Sequence, residues 1–118
     1  MNILIIDDTK SITSILQKYL SIKGHLVSVC NDGIDGLEKI QKNPWDCILL
    51  DIAMPEFSGY DILKNLEDSG DLGDKKIILY TASEISESVM KKLRQKYGIH
   101  SFLKKPCSLK KVVDAIAA

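Results

Sequence analysis

Residues 47–51 read CILLD: four apolar residues in unbroken succession, then an aspartate. The run is short for a helix and lacks the polar alternation of a half-solvated strand. It fits a strand covered on both faces, as in the middle of a parallel sheet. The same form recurs upstream at Asn2–Asp7 (NILIID) and downstream at Ile77–Thr81 (IILYT). Two weaker runs, Leu26–Cys30 (LVSVC, interrupted by Ser28) and the short His100–Leu103 (HSFL), suit strands at the edges.

The segments between these runs carry helical periodicity. Ile12, Ile15, Leu16, Tyr19 and Leu20 form an apolar stripe, with Gly24 placed where a C-terminal cap belongs. Ile34, Leu37 and Ile40 mark a second helix, halted by Asn43-Pro44. Ile62, Leu63 and Leu66 mark a third. Ile85, Val89, Leu93 and Tyr97 mark a fourth, closed by Gly98, and Leu109, Val112, Val113 and Ile116 a fifth. Strand and helix thus alternate five times. Right-handed crossovers then place helices on both faces of a parallel sheet, an α/β three-layer sandwich. With runs one, three and four in the middle, the strand order is 2-1-3-4-5, a (βα)5 flavodoxin-like fold.

The 118 residues fit one domain, 1–118, with no linker or internal repeat. Sixteen basic residues balance sixteen acidic ones, which argues against a dedicated nucleic-acid binder. No apolar run approaches a membrane span, and Met1 leads straight into a strand with no basic, signal-like region. Cys30, Cys47 and Cys107 are odd in number and widely spaced, so neither a disulfide framework nor a structural zinc site is expected. A cytoplasmic location is the expectation.

Open α/β sheets form their sites at the carboxyl ends of strands, beside the point where strand order reverses. Strand one ends in Asp7-Asp8, strand three in Asp51, strand four in Thr81-Ala82, and strand five leads into Lys105-Pro106. Strand two ends without a chemically suggestive group. In the order 2-1-3-4-5 the other four are consecutive neighbours, so three aspartates, a hydroxyl and a lysine should converge. Carboxylates about 4 Å apart repel by roughly 1–4 kcal/mol per pair. A dication such as Mg²⁺, which takes hard oxygen ligands, gives such a cluster a reason to exist. Asp51 can then attack a phosphoryl group, with Lys105 and the Thr81 hydroxyl neutralising its equatorial oxygens. Lys104 competes with Lys105, but alternation along a strand sends neighbouring side chains to opposite faces.

Taken together, Asp7-Asp8, the run LLDIAMPEFSGYDIL around Asp51, Thr81-Ala82 and Lys105-Pro106 carry a resemblance. Over essentially its whole length the chain resembles the receiver domain of two-component response regulators. The resemblance implies that Asp51 accepts phosphate from a phosphohistidine on a sensor histidine kinase or histidine phosphotransfer protein. It implies Mg²⁺ held by Asp7, Asp8, Asp51 and the backbone carbonyl of Ala53, with Lys105, directly before the proline, on the phosphate. It also implies a switch in which Thr81 swings toward the phosphate and Phe102 changes rotamer, and a cis bond before Pro106. Such a protein is a signalling switch with self-catalysed phosphoryl transfer and autodephosphorylation, not a metabolic enzyme. Ala53 and Ser83 stand at two positions that tune phosphate lifetime in such domains, and neither offers a group to orient water.

Other readings fit less well. An aspartate-nucleophile phosphatase needs a second aspartate two residues beyond the first, where Ala53 stands. Neither GxGxxG nor GxxxxGK[ST] follows strand one, which argues against a nucleotide fold. A pseudo-receiver that binds partners without phosphorylation is the alternative, weakened by the full set of site residues. Finally, Lys91, Lys92, Arg94, Lys96, Lys104, Lys105, Lys110 and Lys111 fall between Val89 and Lys111 with no acidic residue among them. The resemblance makes the fourth helix, fifth strand and fifth helix an output face for a downstream protein. The basic run then either steers an acidic partner or is a solvated surface.

Overall fold

Five parallel strands run through the middle of the computed structural model, which describes residues 1–118: β1 (Asn2–Ile6), β2 (Leu26–Cys30), β3 (Cys47–Leu50), β4 (Ile77–Thr81) and β5 (Ser101–Lys104). Their order is β2-β1-β3-β4-β5. The helices α1 (Lys10–Ile22), α2 (Gly33–Lys42), α3 (Gly59–Ser69), α4 (Glu87–Tyr97) and α5 (Leu109–Ala117) fill the crossovers. β1, β3 and β4 are buried almost throughout, as their unbroken apolar runs require, while β2 and β5 are only partly covered.

Strand alternation divides the core in two. Leu4, Ile6, Ile48, Leu50, Ile77 and Leu79 point toward α2, α3 and α4. Ile3, Ile5, Leu49, Ile78 and Tyr80 point toward α1 and α5, meeting Leu16, Leu20, Val112 and Ile116. Fully burying one such aliphatic side chain is worth roughly 1.5–3 kcal/mol, and both layers depend on the sheet for it.

Four elements differ in their bounds from the sequence reading. β1 and β3 stop at Ile6 and Leu50, so Asp7 and Asp51 are the first residues beyond their strands. β5 lies one residue later than His100–Leu103 and ends on Lys104. α4 begins at Glu87, not near Ile85, because the Ser86 hydroxyl accepts the Val89 N–H and caps the helix there. Ile85 instead packs against the core from the preceding loop. The Lys105–Pro106 bond is cis. No helix is long and apolar enough to cross a membrane.

Candidate functional site

Sheet register brings the first carboxylates together. Ile6 of β1 pairs with Leu50 of β3, so Asp7 and Asp51 leave adjacent strands side by side, and the Asp51 N–H donates to the Ile6 carbonyl at 2.9 Å. Asp7 and Asp51 are 1% and 5% exposed, whereas Asp8 is open to solvent. One carboxylate oxygen from each of Asp7, Asp8 and Asp51 lies within 4.8 Å of the other two. Three carboxylates, two of them buried, make a donor set of hard oxygens that fits Mg²⁺.

Lys105 enters this group from the other side of the sheet order. β4 and β5 pair through Thr81 and Lys104, and the Lys105 N–H donates to the Thr81 carbonyl at 2.9 Å. Its ammonium donates to Asp7 Oδ2 and lies 3.5 Å from Asp51 Oδ2. Its Nζ lies over the Tyr80 ring, 5.2 Å from the centroid. Lys104 faces away, paired with Glu84 at the surface. The two lysine side chains are 12% and 60% exposed.

The electrostatics follow from burial. Desolvation raises the Asp51 carboxyl above its ordinary value, and the Asp7 charge adds to the rise. Lys105 and the Ala53 N–H, which donates to Asp51 Oδ1 at 3.2 Å, pull the other way without cancelling it. An ionised Asp51 is therefore held at a cost in free energy that added positive charge would relieve. The Ala53 carbonyl accepts no hydrogen bond within the protein, so it is free to serve a ligand.

Thr81 and Phe102 stand apart from the carboxylates. Thr81 is buried, and its hydroxyl accepts the Ser83 N–H at 3.2 Å instead of contacting an aspartate. Both residues line a cavity of about 170 Å³ between β4, β5 and α4, with Leu79, Ile85 and Met90. Phe102 is half-buried, and the Arg94 guanidinium lies 4.9 Å from its ring centroid.

Some supporting residues were invisible in the sequence reading. Strand two does contribute: Asn31, just beyond it, donates to the Asp7 carbonyl at 2.9 Å and to the Thr13 hydroxyl at 3.1 Å, tying the site to α1. Asp7 Oδ1 in turn accepts the Thr9 N–H at 2.9 Å. Gly59 opens α3 against the Asp51 loop and donates its N–H to the Ile52 carbonyl at 2.9 Å. A Cβ there would fall 2.5 Å from the Asp51 carbonyl oxygen and 2.8 Å from Ile52 Cα. Ser58 and Asp61 lock the same junction with a reciprocal capping box. The one signal available for Gly59 was its place before a helix after Ser58; for Asn31 there was none.

Comparison with known proteins agrees with this architecture. The family model described as the response regulator receiver domain matches residues 3–117. The response regulator MprA of Mycobacterium leprae is 32% identical over 119 aligned positions, which cover all of this chain and 50% of that protein. The chain thus spans about half the length of the curated relatives it matches in full. Among solved structures, the chemotaxis protein CheY4 of Vibrio cholerae superposes with a TM-score of 0.85 at 26% identity, covering 98% of this chain and 95% of that one. The receiver domain of the Francisella response regulator 1452 gives 0.85 at 25% identity, covering 98% and 93%. A match over nearly every residue, on a sheet that gathers its carboxylates at one end, leaves one assignment: the chain belongs to the response regulator receiver domain family of two-component systems.

Proposed function

We propose that Asp51 is the phosphoacceptor of a Mg²⁺-dependent switch, loaded by a sensor histidine kinase or histidine phosphotransfer protein and read through α4, β5 and α5. The observation that carries this reading is the grouping of Asp7, Asp8 and Asp51 within 4.8 Å, with the part-buried Lys105 ammonium bridging Asp7 and Asp51.

An Asp51 carboxylate oxygen attacks the phosphorus of a phosphohistidine. The P–O bond forms as the P–N bond breaks, and the departing imidazole nitrogen keeps the electron pair. Asp7, Asp8, Asp51 and the Ala53 carbonyl would hold Mg²⁺. The bound cation supplies charge neutralisation for carboxylates and phosphoryl oxygens alike. Lys105 leaves its carboxylate contacts to pair with a phosphoryl oxygen, held in position by the Tyr80 ring beneath it. Thr81 exchanges the Ser83 N–H for a phosphoryl oxygen, now donating its hydroxyl proton. That movement frees room for Phe102 to turn into the apolar cavity beside it. A partner-binding module indifferent to phosphate gains no support from three carboxylates and a lysine gathered at one end of the sheet.

Intact mass after treatment with acetyl phosphate tests the reading. The chain is expected to gain one phosphoryl group with Mg²⁺ and none with a chelator. Asp51→Asn is expected to gain none in either condition. Full labelling of that variant would move the acceptor elsewhere.

A further inference from the structure

The apolar stripe of α2 leaves one member over. Leu37 and Ile40 pack into the core, but Ile34 is 63% exposed, although it keeps the helical spacing. A single solvated isoleucine needs no account. Ile34, however, borders a cavity of about 390 Å³ between the start of α2 and the β3–α3 loop, together with Pro55 and Phe57. The shape of this ground is fixed, because Gly33 seats α2 directly on the loop. A Cβ at Gly33 would fall 2.2 Å from the Phe57 carbonyl oxygen.

Three exposed carboxylates, Asp32, Asp35 and Glu56, edge the same cavity. None has a lysine or arginine within 4.0 Å, whereas Glu38, Glu67 and Asp68 on the same flank are each paired. The imbalance extends over the whole flank. Residues 31–74 carry eleven acidic and three basic residues, and the rest of the chain carries five acidic and thirteen basic. Capping of α2 occupies only Asp32 Oδ1, which accepts the Asp35 N–H at 2.8 Å. The Asp35 carboxyl is pushed above its ordinary value by its hydrogen bond with Asp32 and by the Asp32 charge, so a cation brought to this pair relieves a repulsion.

We propose that this surface docks a basic, amphipathic polypeptide segment, with its ammonium or guanidinium groups on Asp32, Asp35 and Glu56 and an apolar side chain among Ile34, Pro55 and Phe57. The inference goes beyond the phosphoacceptor role and does not rest on it. A single metal ion would need the carboxylates to converge, and only Asp7, Asp8 and Asp51 bring their oxygens within 4.8 Å of one another. Carboxylates spread along a rim suit cations on separate side chains. Nucleic acid and anionic lipid are repelled by the same charge. A symmetric pair of copies would set acid against acid. A basic segment with an apolar anchor matches both the rim and the hollow. α3 separates this surface from α4: Gln41 of α2 donates to Asp71 beyond α3 at 3.3 Å, and Lys96 of α4 reaches Glu67 of α3. A partner docked here therefore lies on the loop that leaves Asp51 while α4, β5 and α5 stay clear.

The test is fluorescence anisotropy with a short labelled peptide of lysine, leucine and phenylalanine, on the unphosphorylated chain in Mg²⁺. Saturable binding is expected. It should weaken by about tenfold in Asp35→Asn/Glu56→Gln and by about fivefold in Ile34→Ser. Asp68→Asn/Asp71→Asn, the same change in charge at the far end of α3, should leave it within about twofold. Glu56→Gly removes a carboxylate where the backbone, at φ 66, suits glycine, so it should weaken binding without lowering Tm. Failure to bind overturns the proposal, as does equal weakening in the Asp68/Asp71 variant, which would mean attraction by net charge alone. Equally tight binding of a peptide of lysine and serine removes the apolar anchor and overturns it too. So does self-association in sedimentation that Asp35→Asn/Glu56→Gln abolishes, since the occupant would then be a second copy. Asp51→Asn separates the two readings: it should bind the peptide as the parent does while taking no phosphate. Loss of peptide binding in that variant would place the peptide on the carboxylate cluster and break this proposal alone; full phosphorylation of it would break only the phosphoacceptor role.

Discussion

Two regions on either side of β4 are built on opposite terms. On the β1–β3 side, Asp7 and Asp51 are buried and Lys105 is largely covered, no buried side-chain polar atom lacks a partner, and sheet register determines where each side chain starts. On the α4 side, the Thr81 hydroxyl is held only by its own loop, Phe102 is half-exposed, and an open cavity lies beside them. The first arrangement resists movement because any displacement strands a charge. The second tolerates movement because little is lost when a ring turns. Chemistry that needs positioning and a readout that needs mobility are thereby separated by one strand.

The largest test of that contrast is Lys105→Ala. Removing one partner of a buried ion pair costs about 3–5 kcal/mol, which for a chain of this size lowers Tm by more than about 10 °C at neutral pH. Differential scanning calorimetry would read it. The deficit should shrink as pH falls toward about 4, because carboxylates left without the ammonium can protonate instead. A loss that stays constant with pH would mean Lys105 supports the fold by packing and not by charge.

Gly59→Ala comes next and attacks the rigid side without touching a charge. Its Cβ would press on the backbone of Asp51 and Ile52, which cannot rotate away as a side chain can. Overpacking of this kind costs about 1–3 kcal/mol. The Mg²⁺-induced rise in Tm should shrink with it, since the displaced atoms carry Asp51 and Ala53. Unchanged melting in Mg²⁺ and in chelator would show that the β3–α3 junction has slack.

Asp51→Asn should act in the opposite direction. Burial and the Asp7 charge raise the Asp51 pKa in the folded state, so folding favours its protonated form. The resulting penalty is present at neutral pH and disappears as pH falls below the ordinary carboxylate value of about 3.9. In chelator at pH 7 the variant should therefore melt higher than the parent, with the gap closing toward acid pH. It should also lose most of the stabilisation that Mg²⁺ gives the unsubstituted chain, because one charged ligand is gone. A variant less stable than the parent in chelator would reverse the sign assigned to the cluster.

The same contrast explains what could be read in advance. The central strands were legible because burial on both faces leaves an unbroken apolar run, and strand order then followed from which runs were weakest. Since register aligns the ends of neighbouring strands, the meeting of Asp7, Asp51 and Lys105 was legible too. Asn31 was not, because it acts on the Asp7 carbonyl, and backbone contacts leave no mark on residue type. Nor was the start of α4: Ile85 keeps the four-residue spacing while packing from a loop, and the Ser86 cap decides the boundary. The orientation of the Thr81 hydroxyl depends on a local turn with Ser83, which strand periodicity cannot report.

The smallest effect belongs to Lys104, and it sharpens the contrast most directly because Lys104 and Lys105 are neighbours in sequence. Both make an ion pair, but Lys104 and Glu84 are 60% and 82% exposed, so water and salt screen them. Exposed pairs contribute about 0–1 kcal/mol, and holding two long side chains together offsets much of that. Lys104→Ala should therefore change stability by less than about 0.5 kcal/mol. A double-mutant cycle with Glu84→Ala should return a coupling of similar size that vanishes at high salt. The corresponding cycle between Lys105 and Asp7 should return several times more and resist salt, since low exposure denies the screening ions access. Equal couplings would mean that burial does not distinguish the two lysines, and that the rigid and mobile sides of β4 differ in shape alone.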